Sequence, residues 1–279
     1  MASNYVHGYE DTENQRLVDQ SHILDDLIHR DTVFAPGSRV LELGCGVGAQ
    51  TRIVAHKNPE VHFTCVDISE SSLEAAKANA RRAGLTNVSF QCGDARTLPI
   101  PNQPFDAALF CFVLEHIAQP ERAIEHVVKL LRPGGTLMAI EGDHGSTFFH
   151  PRSALAWRTI QCLIDLQASY GGDALIGRRL YEIFSGVGIT GVHVGPRVVY
   201  ADPSRPEWVE WFTERTYIAM VDGAREHAIN AGMMTAEEWD AGIADLRKSK
   251  QGSFSYTFFK AVGTTPTSQG VKLAEFSVC

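Results

Sequence analysis

A chain of 279 residues with 44% hydrophobic and 9% aromatic content can build one sizeable core, or a domain with a cap. Its formal net charge of -8, without a long Lys/Arg run, argues against a nucleic-acid partner and makes a small molecule the default ligand. No apolar run approaches the ~20 residues of a membrane span. The opening MASNYVHGYEDTENQR is too polar for a signal peptide, and the six cysteines form no CxxC pair, so reduced cysteines in a cytoplasmic protein are expected.

The first element is an N-terminal arm, residues 1–36. Asn14 to His29 spaces Leu17, Leu24, Leu27 and Ile28 as an amphipathic helix. Ahead of it, Tyr5, His7 and Tyr9 combine large rings with polar tips and suit a lid over an acceptor. From 37 to 200 strand-like and helix-like segments alternate. RVLEL runs into GCGVG; VHFTCVD and VSFQCGD each end at an acid; FDAALFCF follows, then GTLMAIEGD after the turn RPGG. Between them SSLEAAKANARRAG reads as a helix with a capping box from Ser71 to Glu74 and a stop at Gly84. ERAIEHVVKLLRPGG places Ile124, Val127, Val128 and Leu131 on one helical face. This alternation predicts an α/β fold with a parallel sheet and right-handed crossovers. Residues 201–252 have helical patterning and carry Trp208, Trp211, Phe212 and Tyr217, which fit a core better than a pocket lining. They read as a cap inserted before a last strand at 253–262, and the polar tail 263–279 is expected to be mobile.

Three glycines, Gly44, Gly46 and Gly48, follow the first strand, and with Ala49 they satisfy the G-x-G-x-x-A pattern of dinucleotide loops. Glu42 argues against that ligand, because a carboxylate aimed at the loop repels a pyrophosphate. It suits S-adenosylmethionine (SAM), which has no phosphate but carries an ammonium and a sulfonium. Asp67, ending the second strand, can accept from both ribose hydroxyls, and Asp94, ending the third, from the adenine amino group, with Ala95 adding a backbone contact. Acids at successive strand ends converge on the edge where open α/β sheets bind ligands.

VLELGCGVG, VDIS, GDA, FDAALFCFVLEHI and LLRPGGTL, in this order, resemble the class I SAM-dependent methyltransferases over Ser38 to Glu141. The resemblance implies a Rossmann-like seven-stranded sheet with an antiparallel last strand. It places Glu42, Gly44, Cys45, Gly46, Gly48, Gln50, Asp67, Ile68, Asp94 and Ala95 around SAM, with backbone contacts at Phe110 and Cys111. Arg16 and Gln20 on the arm helix can reach the methionine carboxylate. S-adenosylhomocysteine (SAH) is the implied product. The flanks YVHGYEDTENQRLVDQ, EGDHGSTFFHP and SYTFFKAV are similar to microbial methyltransferases of natural-product biosynthesis, including those that methylate indole C3 and give pyrroloindolines. The implied acceptor is a small aromatic heterocycle; other O- or N-acceptors, or a tRNA or protein, are the alternatives. No NPPY-type motif follows the fourth strand, which weakens the macromolecular reading.

Glu141, Asp143 and His144 sit in a loop expected after the fifth strand and form the best catalytic cluster. His144 can serve as base or positioning group with Asp143 orienting it, or bond backbone as a turn residue; Glu141 can instead face a helix N-terminus. Asp143, His144 and His150 lack HxxxH or HExxH spacing, so no metal is expected. His116, Arg178 and Tyr181 are further candidates for the acceptor pocket, each also readable as structural or surface. A homodimer is compatible with the arm and cap.

Overall fold

The computed structural model describes residues 24–267. Among them seven strands, β1 (Arg39–Leu43), β2 (His62–Asp67), β3 (Val88–Cys92), β4 (Phe105–Cys111), β5 (Leu131–His150), β6 (Thr190–Ala201) and β7 (Ser253–Thr264), form one sheet in the order β3-β2-β1-β4-β5-β7-β6. β1 pairs in parallel with β2 and β4, while β7 lies antiparallel between β5 and β6. This is the seven-stranded arrangement implied by the motifs.

Alternation along each buried strand supplies both faces of the sheet. Val40, Phe63 and Cys65 pack on one face with Val54 and Ala55 of α1 (Ala49–Lys57) and Leu73 of α2 (Glu70–Arg82). Leu41, Ala108 and Leu137 pack on the other with Ile124 and Val127 of α3 (Pro120–Val128) and Leu180 and Phe184 of α5 (Leu180–Gly186). Between α3 and α5 in sequence lies α4 (Ala154–Ser169), which belongs to the first face.

Several local expectations shift. The cap of α2 is Ser69, whose extended backbone (φ -92, ψ 111) lets its side chain accept from Ser72 N–H; Glu74 pairs with Lys77 instead of closing a box with Ser71. α3 stops at Val128, and Leu131 pairs with Phe105 at the start of β5 rather than completing a helical turn. Residues 141–145 are strand, not loop. β7 offers them a paired edge, with Phe259, Phe258 and Thr257 opposite Glu141, Gly142 and Asp143. The register then shifts to Phe148 opposite Ser255, so His144 lies in a bulge, a feature that re-aims side chains. At the far end β7 runs to Thr264, and the Thr265 hydroxyl accepts from Gly135 N–H and donates to the Arg132 carbonyl. That start of the tail is therefore pinned.

Residues 24–28 are helical, with Leu24 and Ile28 buried. The rest of the expected arm helix, the lid residues Tyr5, His7 and Tyr9, and 268–279 lie outside the described residues. Between β6 and β7 a π-helix (Trp208–Ile218) leads into α6 (Ala219–Gly223), α7 (Arg225–Asn230) and α8 (Ala236–Arg247), the last started by a Thr235–Glu238 capping box. Phe212, Tyr217 and Trp239 are buried with Ile160 and Leu163 of α4 and Phe254, Tyr256 and Phe258 of β7. Trp211 is half exposed beneath the Arg215 guanidinium, 4.4 Å from its ring centroid. No helix among the described residues is long and apolar enough to cross a membrane.

Candidate functional site

The donor edge is built by the ends of β1, β2 and β3. Gly44 and Gly46 both take left-handed backbone (φ 66 and 52). A Cβ on Gly44 would overlap the Val113 side chain, whereas one on Gly46 would meet no atom within 4 Å. The loop is thus pressed onto the post-β4 turn on one side and open on the other, a cradle that a ligand can approach closely. Asp67 ties it down: Oδ2 accepts from Gly46 N–H at 2.7 Å and Oδ1 from Ser69 N–H at 2.9 Å. Ile68 beside it is 56% exposed, an apolar side chain left for a flat ring to cover. Asp94 is engaged by Arg96, whose Nε and Nη2 donate to its carboxylate; these bonds hold the carboxyl below its usual range. Ala95, between them, is half-buried.

Glu42 is 2% exposed, and its Oε2 accepts from the Thr51 hydroxyl at 2.7 Å. Burial pushes its carboxyl up to about 7, against the pull of the Thr51 and Cys65 bonds and with help from the Asp67 charge. The stretch Leu43–Thr51 contains no Lys or Arg to receive a phosphate. An open glycine cradle, a buried carboxyl short of a cation, a diol-ready aspartate and an exposed isoleucine fit an adenosyl-sulfonium donor. Gln50, in the first turn of α1, gives its oxygen to His29. Phe110 and Cys111 are both buried, Phe110 within the core, so any ligand contact there is through backbone. Arg16 and Gln20 lie outside the described residues.

Beyond β4 the chain turns through Phe112, which adopts φ 59, a conformation unusual for a bulky residue. Its ring packs on Phe258 at 5.1 Å. Tyr256, Phe258, Phe212 and Tyr217 continue this aromatic wall, and His144 enters it with its ring 5.7 Å from Tyr256 and 6.2 Å from Tyr217. His144 Nδ1 lies 2.7 Å from the Tyr256 hydroxyl, and the Tyr217 hydroxyl bonds Thr147. The π-helix sets Phe212 and Tyr217 five residues apart, one i→i+5 step, so both reach β7.

The expected pairing of Asp143 with His144 does not occur. Asp143 receives Arg178 Nε and Nη2 at 2.8 and 2.7 Å, because the short helix at Ile176–Arg179 brings the guanidinium over the bulge. His144 is oriented by Tyr256 instead. Arg178 is accordingly committed to an ion pair rather than free in an acceptor pocket. Glu141 is wholly buried, and its Oε1 accepts from Val113 and Leu114 N–H at 3.1 and 2.8 Å, capping the short helix Leu114–His116. That contact commits Glu141 to the turn after β4; Asp143, two residues on along the same face of β5, is committed to Arg178, and His144 lies on the opposite face with Tyr256. His116 lies beside Glu115, Nε2 to Oε1 3.4 Å, on that capped helix. Tyr181 is 60% exposed on α5, away from the aromatic wall. Among the described residues no three His, Cys, Asp or Glu side chains are grouped to hold a metal. Tyr256, Phe112, Phe258 and His29 escaped sequence reasoning, and Tyr217 was read there as core rather than pocket lining; the alternating aromatics of SFSYTFF were the available signal for Tyr256 and Phe258.

Burial, with the Glu115 charge adding to it and backbone N–H groups opposing it, pushes the Glu141 carboxyl from 4.5 up to about 8. The fold therefore prefers protonated Glu141, and the stability this gives is full below pH about 4.5 and lost as pH rises through about 8. Glu141→Gln keeps the Oε1 acceptor and cannot ionise. Its melting temperature is expected to gain on the wild type between pH 6 and pH 9, each pKa unit weighing about 1.4 kcal/mol. A variant that falls further behind as pH rises would contradict this assignment.

Residues 40–135 match the family model described as a methyltransferase domain. The chain is 29% identical over 144 residues to a demethylmenaquinone methyltransferase of Symbiobacterium thermophilum, covering 49% of this chain and 57% of that one. It is 33% identical over 135 residues to a 27-O-demethylrifamycin SV methyltransferase of Amycolatopsis mediterranei, covering 48% and 49%. The match thus spans about half the length of these curated relatives. Among solved structures it is similar to the cyclase SpnF, with 24% identity, a TM-score of 0.54 and 88% and 82% of the two chains covered. That likeness shows the fold. Residues 40–135 are thus similar to a methyltransferase domain, and the glycine loop with Glu42, Asp67 and Asp94 lies within that stretch.

Proposed function

We propose that this protein transfers the methyl group of SAM to a small aromatic acceptor in natural-product biosynthesis, with carbon 3 of an indole as the favoured acceptor atom. The observation that carries the reading is His144, held by Tyr256 inside an aromatic wall at the bulge of β5, just past the end of β4. SAM supplies an electrophilic methyl on its sulfonium. The chain's own residues must align the acceptor behind that methyl and exclude water, which is worth roughly 7–11 kcal/mol. Phe112, Phe258 and the two tyrosines offer flat apolar surfaces for a heteroaromatic ring. A neutral indole carbon can attack without prior deprotonation; the new C–C bond forms as the C–S bond breaks, and the indole N–H proton then leaves. We assign the removal of that proton to the His144 imidazole, whose Nδ1 lies 2.7 Å from the Tyr256 hydroxyl.

A phenolic hydroxyl is the second reading. The same imidazole can take a hydroxyl proton, and the rifamycin relative is named for an O-methyl transfer. Purified protein, SAM and a panel of indoles, phenols and amines, read by mass spectrometry, separates the two. Methylated product from an N-acylated tryptamine with loss of indole absorbance is expected. Methylation of phenols alone would replace the carbon acceptor with oxygen, and no product from any member would overturn small-molecule transfer.

A further inference from the structure

The segment that joins the arm to β1 is fixed by one directed chain of hydrogen bonds. Lys260 of β7, 3% exposed, donates to Asp31 Oδ1 at 2.6 Å, to Thr32 Oγ1 at 2.8 Å and to the Ile28 carbonyl at 3.4 Å. The Thr32 oxygen accepts from this ammonium, which leaves its own hydrogen for His29 Nδ1 at 3.2 Å. The ring proton is thereby assigned to Nε2, 2.8 Å from Gln50 Oε1. His29 is wholly buried, and burial pushes its imidazole down to about 4; the Gln50 bond opposes this and the Lys260 charge adds to it, while Asp25 and Lys57 act more weakly and in opposite senses. The ring is therefore neutral at physiological pH, with one donor and one acceptor, both used.

Gln50 stands in the first turn of α1, directly after the glycine cradle and next to Thr51, which holds Glu42. Its oxygen is spent on His29. We propose that this chain sets the Gln50 amide so that its NH2 group donates to the carboxylate at the amino-acid end of the donor, with His29 as a positioning residue. The proposal rests on the reading of the glycine cradle as a SAM site. The carboxyl of Glu42 calls the ammonium to the end of β1, and the carboxylate is carried on the same carbon as that ammonium. An anion there also meets the N-terminus of the nine-residue helix α1, whose dipole favours it. His29 and Lys260 together link β7 and the segment before β1 to that one amide, so a distant strand bears on donor binding.

Gln50→Glu tests the assignment in the full-length chain. It keeps an oxygen for His29 Nε2–H and deletes the outward donor. Calorimetry is run with SAH and with its decarboxylated analogue, which lacks the carboxylate. The variant is expected to weaken SAH about tenfold or more, the weight of one charge-assisted hydrogen bond, and to leave the analogue unchanged. His29→Ala is expected to shrink the same ratio of affinities, and His29→Gln, which restores a donor in place of Nε2–H, to recover it. Unchanged SAH affinity in Gln50→Glu, or equal losses for both ligands, would overturn the carboxylate contact. A wild-type ratio in His29→Ala would overturn the positioning role. Wild-type protein that binds neither ligand would instead overturn the SAM-site reading, and this inference with it.

Discussion

Asp67→Ala is expected to weaken SAH binding a hundredfold or more, roughly, by calorimetry. The side chain does two jobs with one carboxylate. Its oxygens accept from Gly46 and Ser69 N–H, which fixes the glycine loop against β2 and starts α2. In the proposed donor site the remaining lone pairs are those offered to the ribose hydroxyls. Hydrogen bonds to a charged group contribute about 1.5–3 kcal/mol each, so two lost ribose bonds alone account for the expected change. Release of the Gly46 N–H adds to it by letting the loop leave its bound shape. Asp67→Asn should fall between, since an amide retains one acceptor oxygen and cannot serve both backbone donors. Unchanged affinity in the alanine variant would remove Asp67, and with it the donor edge as assigned.

The donor side was legible because its signals are local. A glycine run after an apolar strand, and acids at strand ends, occupy a few residues each, and parallel pairing brings those ends to one edge without further information. Glu42 shows the logic: its placement before the loop argues for a cation-bearing ligand over a pyrophosphate, and in the fold it lies buried there beside Thr51. The acceptor side was less legible because its bonds join distant positions. His144 and Tyr256 are 112 residues apart and Asp143 and Arg178 are 35 apart, so sequence proximity paired Asp143 with the wrong neighbour. Local rivalry explains the α2 cap, where Ser69 and Ser71 compete and only Ser69 has the extended backbone that capping needs. The strand through Glu141–Asp143 was hidden for a tertiary reason: its partner, β7, arrives after the whole cap has been inserted.

The cap and the bulge explain each other. Strand alternation already puts His144 on the face of Gly142, which lies against Tyr256; in the bulge its N–H bonds the Ala174 carbonyl instead of β7, and its Nδ1 stays 2.7 Å from the Tyr256 hydroxyl. The cap then covers the same face of β7, and its π-helix supplies Tyr217, whose hydroxyl is satisfied by Thr147 just beyond the bulge. Burial pushes the phenols of Tyr217 and Tyr256 well above their ordinary range, so both remain neutral hydrogen-bonding groups.

His144→Ala is therefore expected to lower turnover at saturating acceptor about a hundredfold or more while leaving SAH affinity close to wild type. The first half follows if the imidazole takes the acceptor's proton. The second follows because His144 stands in the β5 bulge against Tyr256 and Tyr217, while Glu42, Asp67 and Asp94 stand at the ends of β1, β2 and β3. Tyr256→Phe retains the ring in the wall and removes only the hydroxyl beside Nδ1, so a smaller loss, about tenfold, is expected from an imidazole that is present but no longer held in one tautomer. The two variants discriminate base from scaffold. If His144 acts only by packing, His144→Phe should recover most of the alanine loss, since it refills the aromatic wall; if it moves a proton, His144→Phe stays as slow as His144→Ala. Wild-type turnover in His144→Ala would remove the residue from the mechanism and leave proton release to solvent, which a neutral indole carbon tolerates better than a phenol does.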